Sequence, residues 1–213
     1  MSSRESILKN LKAARSPFVD VPPVENRREV VLQDDLRPEA LRAHFIKEAE
    51  KLSCQVTICA SAADAIEQLL ALLGDDRLLL SWDLPHIPLP GLAEALEHAG
   101  IKIAAPADAA VRVGLTGIDV ALASTGSFIL FSGPGKPRAV SLLPDLHVAV
   151  MTAGQIVPNL ETWSATERAN QIEDFRQTSS VLIVSGPSRT ADIAMQLVLG
   201  AHGPAAVHIL MLP

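Results

Sequence analysis

From residue 36 onward, short apolar runs alternate with longer stretches of helical character. The stretch 37–52, RPEALRAHFIKEAEKL, predicts a helix with Pro38 suited to its first turn. CQVTICA (54–60) predicts a strand. SAADAIEQLLALLG (61–74) predicts a helix, with Ser61 and Asp64 at capping spacing and Gly74 as its stop. RLLLSW (77–82) is a continuous apolar strand. A short helix over 91–99 and a short strand at IKIA follow. The middle of the chain breaks this rhythm. VALA (120–123) and FILF (128–131) are separated only by STGS, which suits a hairpin or a sharply bent pair rather than a crossover. HVAVM (147–151) predicts a strand, 162–177 a helix, VLIVS (181–185) a buried strand, TADIAMQLVL (190–199) a helix and AVHILML (206–212) the last strand. Strands alternating with helices predict an α/β fold with a mostly parallel sheet flanked by helices.

The N-terminal segment stands apart. Residues 2–16 predict a helix: Ser2 and Glu5 have capping-box spacing, Ile7, Leu8 and Leu11 share a face, and Pro17 ends the run. Residues 17–35 carry Pro17, Pro22 and Pro23 with little periodicity and predict an extended arm. The domain reading is therefore an N-terminal helix and arm over 1–35 and an α/β domain over 36–213.

With 213 residues, 48% of them hydrophobic, the α/β domain has enough apolar side chain for a sizeable core. Aromatics are 3%, so Leu, Val, Ile and Ala must fill it. A net charge of −6 with scattered Lys and Arg argues against nucleic acid as a partner. The only two cysteines, Cys54 and Cys59, lie in an apolar strand and read as small buried residues, too few for a four-ligand metal or cluster site. No cofactor is therefore expected on this chain. No secretory leader and no run of about 18 apolar residues is present, so no membrane span and a cytoplasmic location are expected.

Three polar clusters carry the candidate chemistry. SGPSRTAD (185–192) sits between a predicted strand and a predicted helix. Unpaired N–H groups at a helix start, together with the Arg189 guanidinium, would suit an anion, with Ser188, Thr190 and Asp192 also serving as plain helix-start residues. SGPGKPR (132–138) is a Pro-stiffened loop whose Lys136 and Arg138 could reach a carboxylate or phosphate, or could be solvated charges. GLTGIDVALASTGS (114–127) gathers Thr116, Asp119, Ser124, Thr125, Gly126 and Ser127 around one apolar run. No Walker A, G-x-G-x-x-G, G-x-S-x-G or H-E-x-x-H motif is present. His202, in GAHGP at a predicted helix end, is a further candidate wall. A lone His such as His147 reads more readily as structural. The three loops are expected to converge on one pocket at the strand ends of the sheet, binding a small anionic metabolite.

These segments together resemble the LutC/YkgG family, the LUD (lactate utilisation) domain. The resemblance rests on VGLTGIDVALASTGS (113–127), SGPGKPRAVSLLPDLH (132–147), SGPSRTADI (185–193) and LVLGAHGP (197–204). It implies a fold like the NagB/RpiA/CoA-transferase group. It also implies a part in oxidising L-lactate to pyruvate as a non-cluster subunit or accessory protein, beside LutA-like and LutB-like partners that hold the iron–sulfur clusters. One position departs from the pattern: the family often has Glu or Asp where Ser124 stands, so a catalytic carboxylate role does not carry over there. A free-standing sugar-phosphate isomerase or CoA-transferase-like enzyme, with Asp119 or Asp192 in play, and a regulatory metabolite-binding module are the alternatives on the same fold.

Overall fold

A computed structural model describes residues 3–13, 35–106, 108–170, 175, 177–191 and 197–213. The chain divides into two compact units, Met1–Val30 and Val31–Pro213. In the first, α1 (Ser3–Ala13) is the expected helix, and its apolar side chains Ile7, Leu8 and Leu11 are exposed. The cap residue Ser2 and the expected arm up to residue 34 lie outside the described residues.

The second unit is built on a six-stranded parallel sheet. Its strands are β1 (Gln55–Ile58), β2 (Leu78–Ser81), β3 (Lys102–Ile103), β4 (Val113–Gly117), β7 (Leu146–Thr152) and β12 (Ala206–Leu212), in the order β1-β12-β7-β4-β2-β3. The last strand thus inserts between β1 and β7, with Val207 opposite His147 and Met211 opposite Met151. Val148 to Met151 and Ile209 to Met211 are all 0% exposed. Successive side chains on a strand point to opposite faces, so a run buried without interruption means that both faces are covered. Helices α2 (Pro38–Lys51), α3 (Ala62–Leu73) and α4 (Leu92–His98) punctuate the strands as predicted. Ser61 caps α3 by accepting from the Asp64 amide at 3.2 Å, and Gly74 closes it.

The predicted hairpin is present, but it opens a second sheet. β5 (Val120–Leu122) and β6 (Ser127–Ser132) pair antiparallel. β8 (Ile156–Val157) joins β5, and β9 (Ser180–Val184) joins β6, giving the order β8-β5-β6-β9. Along β6 the two-residue alternation divides the side chains between two cores. Phe128 and Leu130 join the main core, while Ile129 and Phe131 pack with Trp163 of α5 (Leu160–Ala169).

Three expectations are corrected. VLIVS is not a buried strand of the parallel sheet: β9 runs antiparallel to β6 at the edge of the second sheet, and Ile183 is 45% exposed. The helix expected over 190–199 is not formed. Arg189–Ala191 (β10) and Leu197–Leu199 (β11) are antiparallel strands instead, with Thr190 opposite Val198. Its apolar spacing fitted a helix, but β-branched Thr190 and Val198 suit cross-strand pairing, and tertiary context decides such a segment. The helix expected over 162–177 starts earlier, at Leu160, where Asn159 accepts from the Thr162 amide at 2.8 Å. Residues 171–174, 176 and 192–196 lie outside the description.

Candidate functional site

The crowd of small residues around STGS has a packing cause. The hairpin turn presses on the last turns of α2. A Cβ at Gly126 would sit 2.1 Å from the Ala49 nitrogen and 2.3 Å from the Glu48 carbonyl carbon. A Cβ at Gly186, in the loop after β9, would lie 2.4 Å from the Leu52 carbonyl oxygen. The two loops also meet each other, since the Ser127 and Ser185 hydroxyls are 2.9 Å apart. Two glycines therefore let both loops close on the C-terminal end of one helix.

Beside this junction lies a cavity of about 320 Å3, bordered by His147, Ser185, Ser188, Arg189, His202 and Leu142 among others. Arg189 stands at its exposed side. One of its terminal nitrogens donates to the Leu52 carbonyl at 2.9 Å and to the Ser53 hydroxyl, which closes the end of α2. These acceptors are neutral, and the other donors of the guanidinium have no partner among the described residues. No carboxylate among the described residues pairs with this cation. The Ser188 hydroxyl accepts from the His202 amide at 3.4 Å.

The cavity is also lined by a residue with little along the chain to single it out. His147, the second residue of β7, is 0% exposed. Its Nε2 is 2.9 Å from the hydroxyl of Thr116 on β4, and its ring lies against Phe128 at 5.9 Å between centroids. Nδ1 has no partner among the described residues. Burial pushes the imidazole pKa down to about 4, so it is neutral at pH 7.

Asp119 and Lys136 form a separate centre beyond the ends of β2 and β4. The Asp119 carboxylate accepts from the Phe131 amide at 2.7 Å and pairs with Lys136, whose ammonium lies 4.6 Å from the centre of the Trp82 ring. The ion pair and the ring hold the SGPGKPR loop against the hairpin, and the lysine charge is balanced within the pair. A cavity of about 350 Å3, bordered by Phe131, Ser132 and Gln177 among others, adjoins it.

The expected single pocket is therefore divided. Thr116, Ser188, Arg189 and His202 gather at one cavity, Thr116 through His147, with the Ser124–Gly126 turn next door. Asp119 and Lys136 lie elsewhere, and Arg138 borders a third cavity with Ser179 and Ser180. The β6–β9 register sets the separation. Phe128 pairs with Val184 at one end and Ser132 with Ser180 at the other. Four residue steps span roughly 14 Å at about 3.4 Å each. Lys136 and Arg138 thus do not close the Arg189 cavity. The helix-start amides expected there are also absent, because residues 189–191 are a strand and the Ser188 amide donates to the Pro204 carbonyl at 2.8 Å. His202 lies in a turn, not at a helix end. Thr190 sits on β10, and Asp192 is outside the described residues. Ser124 is half-buried, and its amide donates to the Pro158 carbonyl at 2.9 Å. The residues missed were His147, Ser185 and the end of α2. Only the polar His at the mouth of an apolar strand could have flagged the first.

Cys54 and Cys59 are free and buried, and no group of three or more His, Cys, Asp or Glu side chains among the described residues could hold a metal ion. No helix among them is long and apolar enough to cross a membrane.

A parallel six-stranded sheet carrying a second, hairpin-based sheet defines the class of α/β protein, and sequence comparison defines its family. The chain belongs to the LUD-domain family, whose model matches residues 42–212. It is 34% identical over 188 residues to Lactate utilization protein C of Geobacillus sp. (strain WCH70), covering 81% of this chain and 76% of that protein. It is 29% identical over 196 residues to the Escherichia coli (strain K12) protein named Uncharacterized protein YkgG, covering 87% and 84%. A crystal structure of a DUF162 family protein from Deinococcus radiodurans shares the fold, with a TM-score of 0.60 at 21% identity, covering 84% of this chain and 100% of that one.

Proposed function

We propose that this chain serves lactate utilisation, as the names of its LutC relatives indicate, and that it binds a small anionic metabolite in the cavity beside Arg189. In this reading it is a subunit or accessory protein that works beside LutA-like and LutB-like iron–sulfur proteins and leaves the electron relay to them. The anion assignment is carried by Arg189, a guanidinium at the side of an open cavity with only neutral acceptors among its partners in the described residues. Such a fork of donors favours a carboxylate or phosphate. The Asp119–Lys136 pair supports anion binding less well, because its charges cancel.

The test is reconstitution. L-lactate oxidation is measured with an artificial electron acceptor, using the chain alone, the two iron–sulfur proteins alone and all three together. Turnover is expected only from the complete set, and Arg189→Ala in place of the native chain should lower it. Robust turnover by the chain alone would overturn the accessory reading in favour of a free-standing enzyme. Full activity of the set without the chain would remove it from the reaction altogether.

A further inference from the structure

A strand at the rim of a sheet turns the N–H and C=O of every second residue outward, away from its neighbour. β9 is such a rim in the order β8-β5-β6-β9. The bonds of β6 fix which β9 residues face out. The Ser132 carbonyl accepts from the Ser179 amide at 2.7 Å, so it points to β9. The Ile129 carbonyl accepts from the Asp119 amide at 3.1 Å, and the Phe131 amide donates to the Asp119 carboxylate at 2.7 Å, so both point to the β5 side. Even-numbered residues of β6 therefore bond to β9. Their partners Ser180, Leu182 and Val184 point back at β6, and Val181 and Ile183 point away from it. Among the described residues no backbone hydrogen bond reaches the outward groups of either.

This edge is also undefended. Edge strands are commonly blunted by charge or proline. Residues 178–185, TSSVLIVS, hold neither, and Ile183 is 45% exposed. The chain that follows the SGPGKPR turn borders the same strand. Arg138 shares one cavity with Ser179 and Ser180, and Leu142 shares the next with Ile183 and Arg189. The two spaces, of about 470 and 320 Å3, thus follow each other along β9. A guanidinium stands at each end, and no ion pair among the described residues engages Arg138 or Arg189.

We infer that the β9 edge is a docking strand for an extended segment of another protein, about six residues long, apolar at alternate positions and carrying a carboxylate at each end. Val181 and Ile183 each offer the added strand one donor and one acceptor, and the exposed Ile183 side chain takes an apolar neighbour across the strands. The steps from Ser180 to Ser185 span about 17 Å at about 3.4 Å each, which sets the spacing of the two carboxylates. Charge decides against a second copy as the occupant. Pairing β9 with β9 about a two-fold axis runs the strands antiparallel and brings Arg138 of one copy to Arg189 of the other, like charge to like. An acidic-ended segment meets both arginines with charge-assisted bonds instead. The inference shares Arg189 with the metabolite reading but does not rest on it, because the strand edge is open whether or not a small anion binds there.

The test uses the full chain and a fluorescein-labelled peptide, Asp-Thr-Val-Thr-Val-Asp, with Lys-Thr-Val-Thr-Val-Lys as its charge-reversed control. Fluorescence anisotropy should rise with the acidic peptide, and the control should bind about tenfold more weakly, the scale of one charge-assisted bond. Arg138→Ala should weaken the acidic peptide by a similar factor. Ile183→Pro should abolish binding in a folded protein, because that N–H makes no bond within the sheet and proline is tolerated on the open side of an edge strand. Val181→Pro makes the same test at the other outward residue if Ile183→Pro does not fold. Amide exchange followed by NMR adds a readout in the native protein. Val181 and Ile183 should exchange freely while Leu182 and Val184 are protected, and the acidic peptide should protect the first pair. No binding of the acidic peptide, equal binding of the control, or binding that survives both proline variants would overturn the inference. Protection of Val181 and Ile183 in the free monomer would overturn it by showing the edge already covered. Dimerisation seen by light scattering that protects the same two amides would give the edge to a second copy and overturn it too. None of these results bears on the reconstitution of lactate oxidation, so the metabolite reading stands or falls separately.

Discussion

The contact between the STGS turn and α2 gives a quantitative test of why the motif is built as it is. Gly126 has a φ of +67°, a left-handed conformation, and the site of its missing Cβ is occupied by the backbone of Ala49 and Glu48. Gly126→Ala therefore meets two costs. An L side chain in the left-handed region costs about 1 kcal/mol. Forcing a methyl group into helix backbone, which cannot swing aside as a side chain can, adds about 1–3 kcal/mol of overpacking. The expected loss is about 2–4 kcal/mol, which for a unit of this size corresponds to a fall of roughly 5–15 °C in melting temperature. Gly91→Ala separates the two contributions. Gly91 has a φ of +84°, but nothing lies within 4 Å of its Cβ position. That variant should lose only the backbone part, about 1 kcal/mol. Both are measured by urea unfolding at pH 7. If Gly126→Ala lost no more stability than Gly91→Ala, the close approach of hairpin and helix would not be what fixes this glycine, and the packing account of the motif would fail.

Three other outcomes are expected. The pKa of His147 is about 4 in the fold against an ordinary 6.5, so the unfolded chain binds the extra proton first as pH falls. Its contribution of about 3 kcal/mol is present above pH 6.5 and is lost as pH drops toward 4; His208, also pushed down by burial, acts in the same direction. Urea midpoints at pH 7 and pH 4.5 should therefore differ more in the native protein than in His147→Phe. Both thiols should be silent to Ellman's reagent in the native state and react together on unfolding, since Cys54 and Cys59 are buried and burial raises the Cys54 pKa to about 11; prompt reaction of either in the native protein would contradict the packing of β1. Protein purified without oxygen should carry no stoichiometric iron and acid-labile sulfide, and finding both would put a cluster on this chain.

Much of the fold was legible in local pattern. The α3 helix was readable because its cap, its amphipathic face and its terminal glycine all agree. The pairing of VALA with FILF was readable because four residues leave no room for a crossover. The resemblance of four ordered blocks pointed to the family that sequence comparison then showed. What failed was local in a different way. Residues 190–199 have apolar spacing that either a helix or a pair of strands can use, and only the neighbours available for pairing decide between them. The anion site expected at a helix start vanished with that helix, although Arg189 kept a place at a cavity.

The sequence by itself determined which residues could enter the core, where α2 to α4 begin and end, and that Arg189, Lys136 and Asp119 were the charged groups to follow. Tertiary structure alone decided which of them meet. It spent the charge of Lys136 on Asp119, set β9 antiparallel to β6 so that two motifs 14 Å apart by roughly four strand steps face different cavities, and inserted β12 beside β7. The same assembly put His147 opposite Val207 and within reach of Thr116. Those contacts join positions 31 and 60 residues apart in the chain (147 − 116 and 207 − 147). Periodicity reports only neighbours along the chain, so a partner supplied by another strand, and a nitrogen left without one, become visible only when the sheet is assembled.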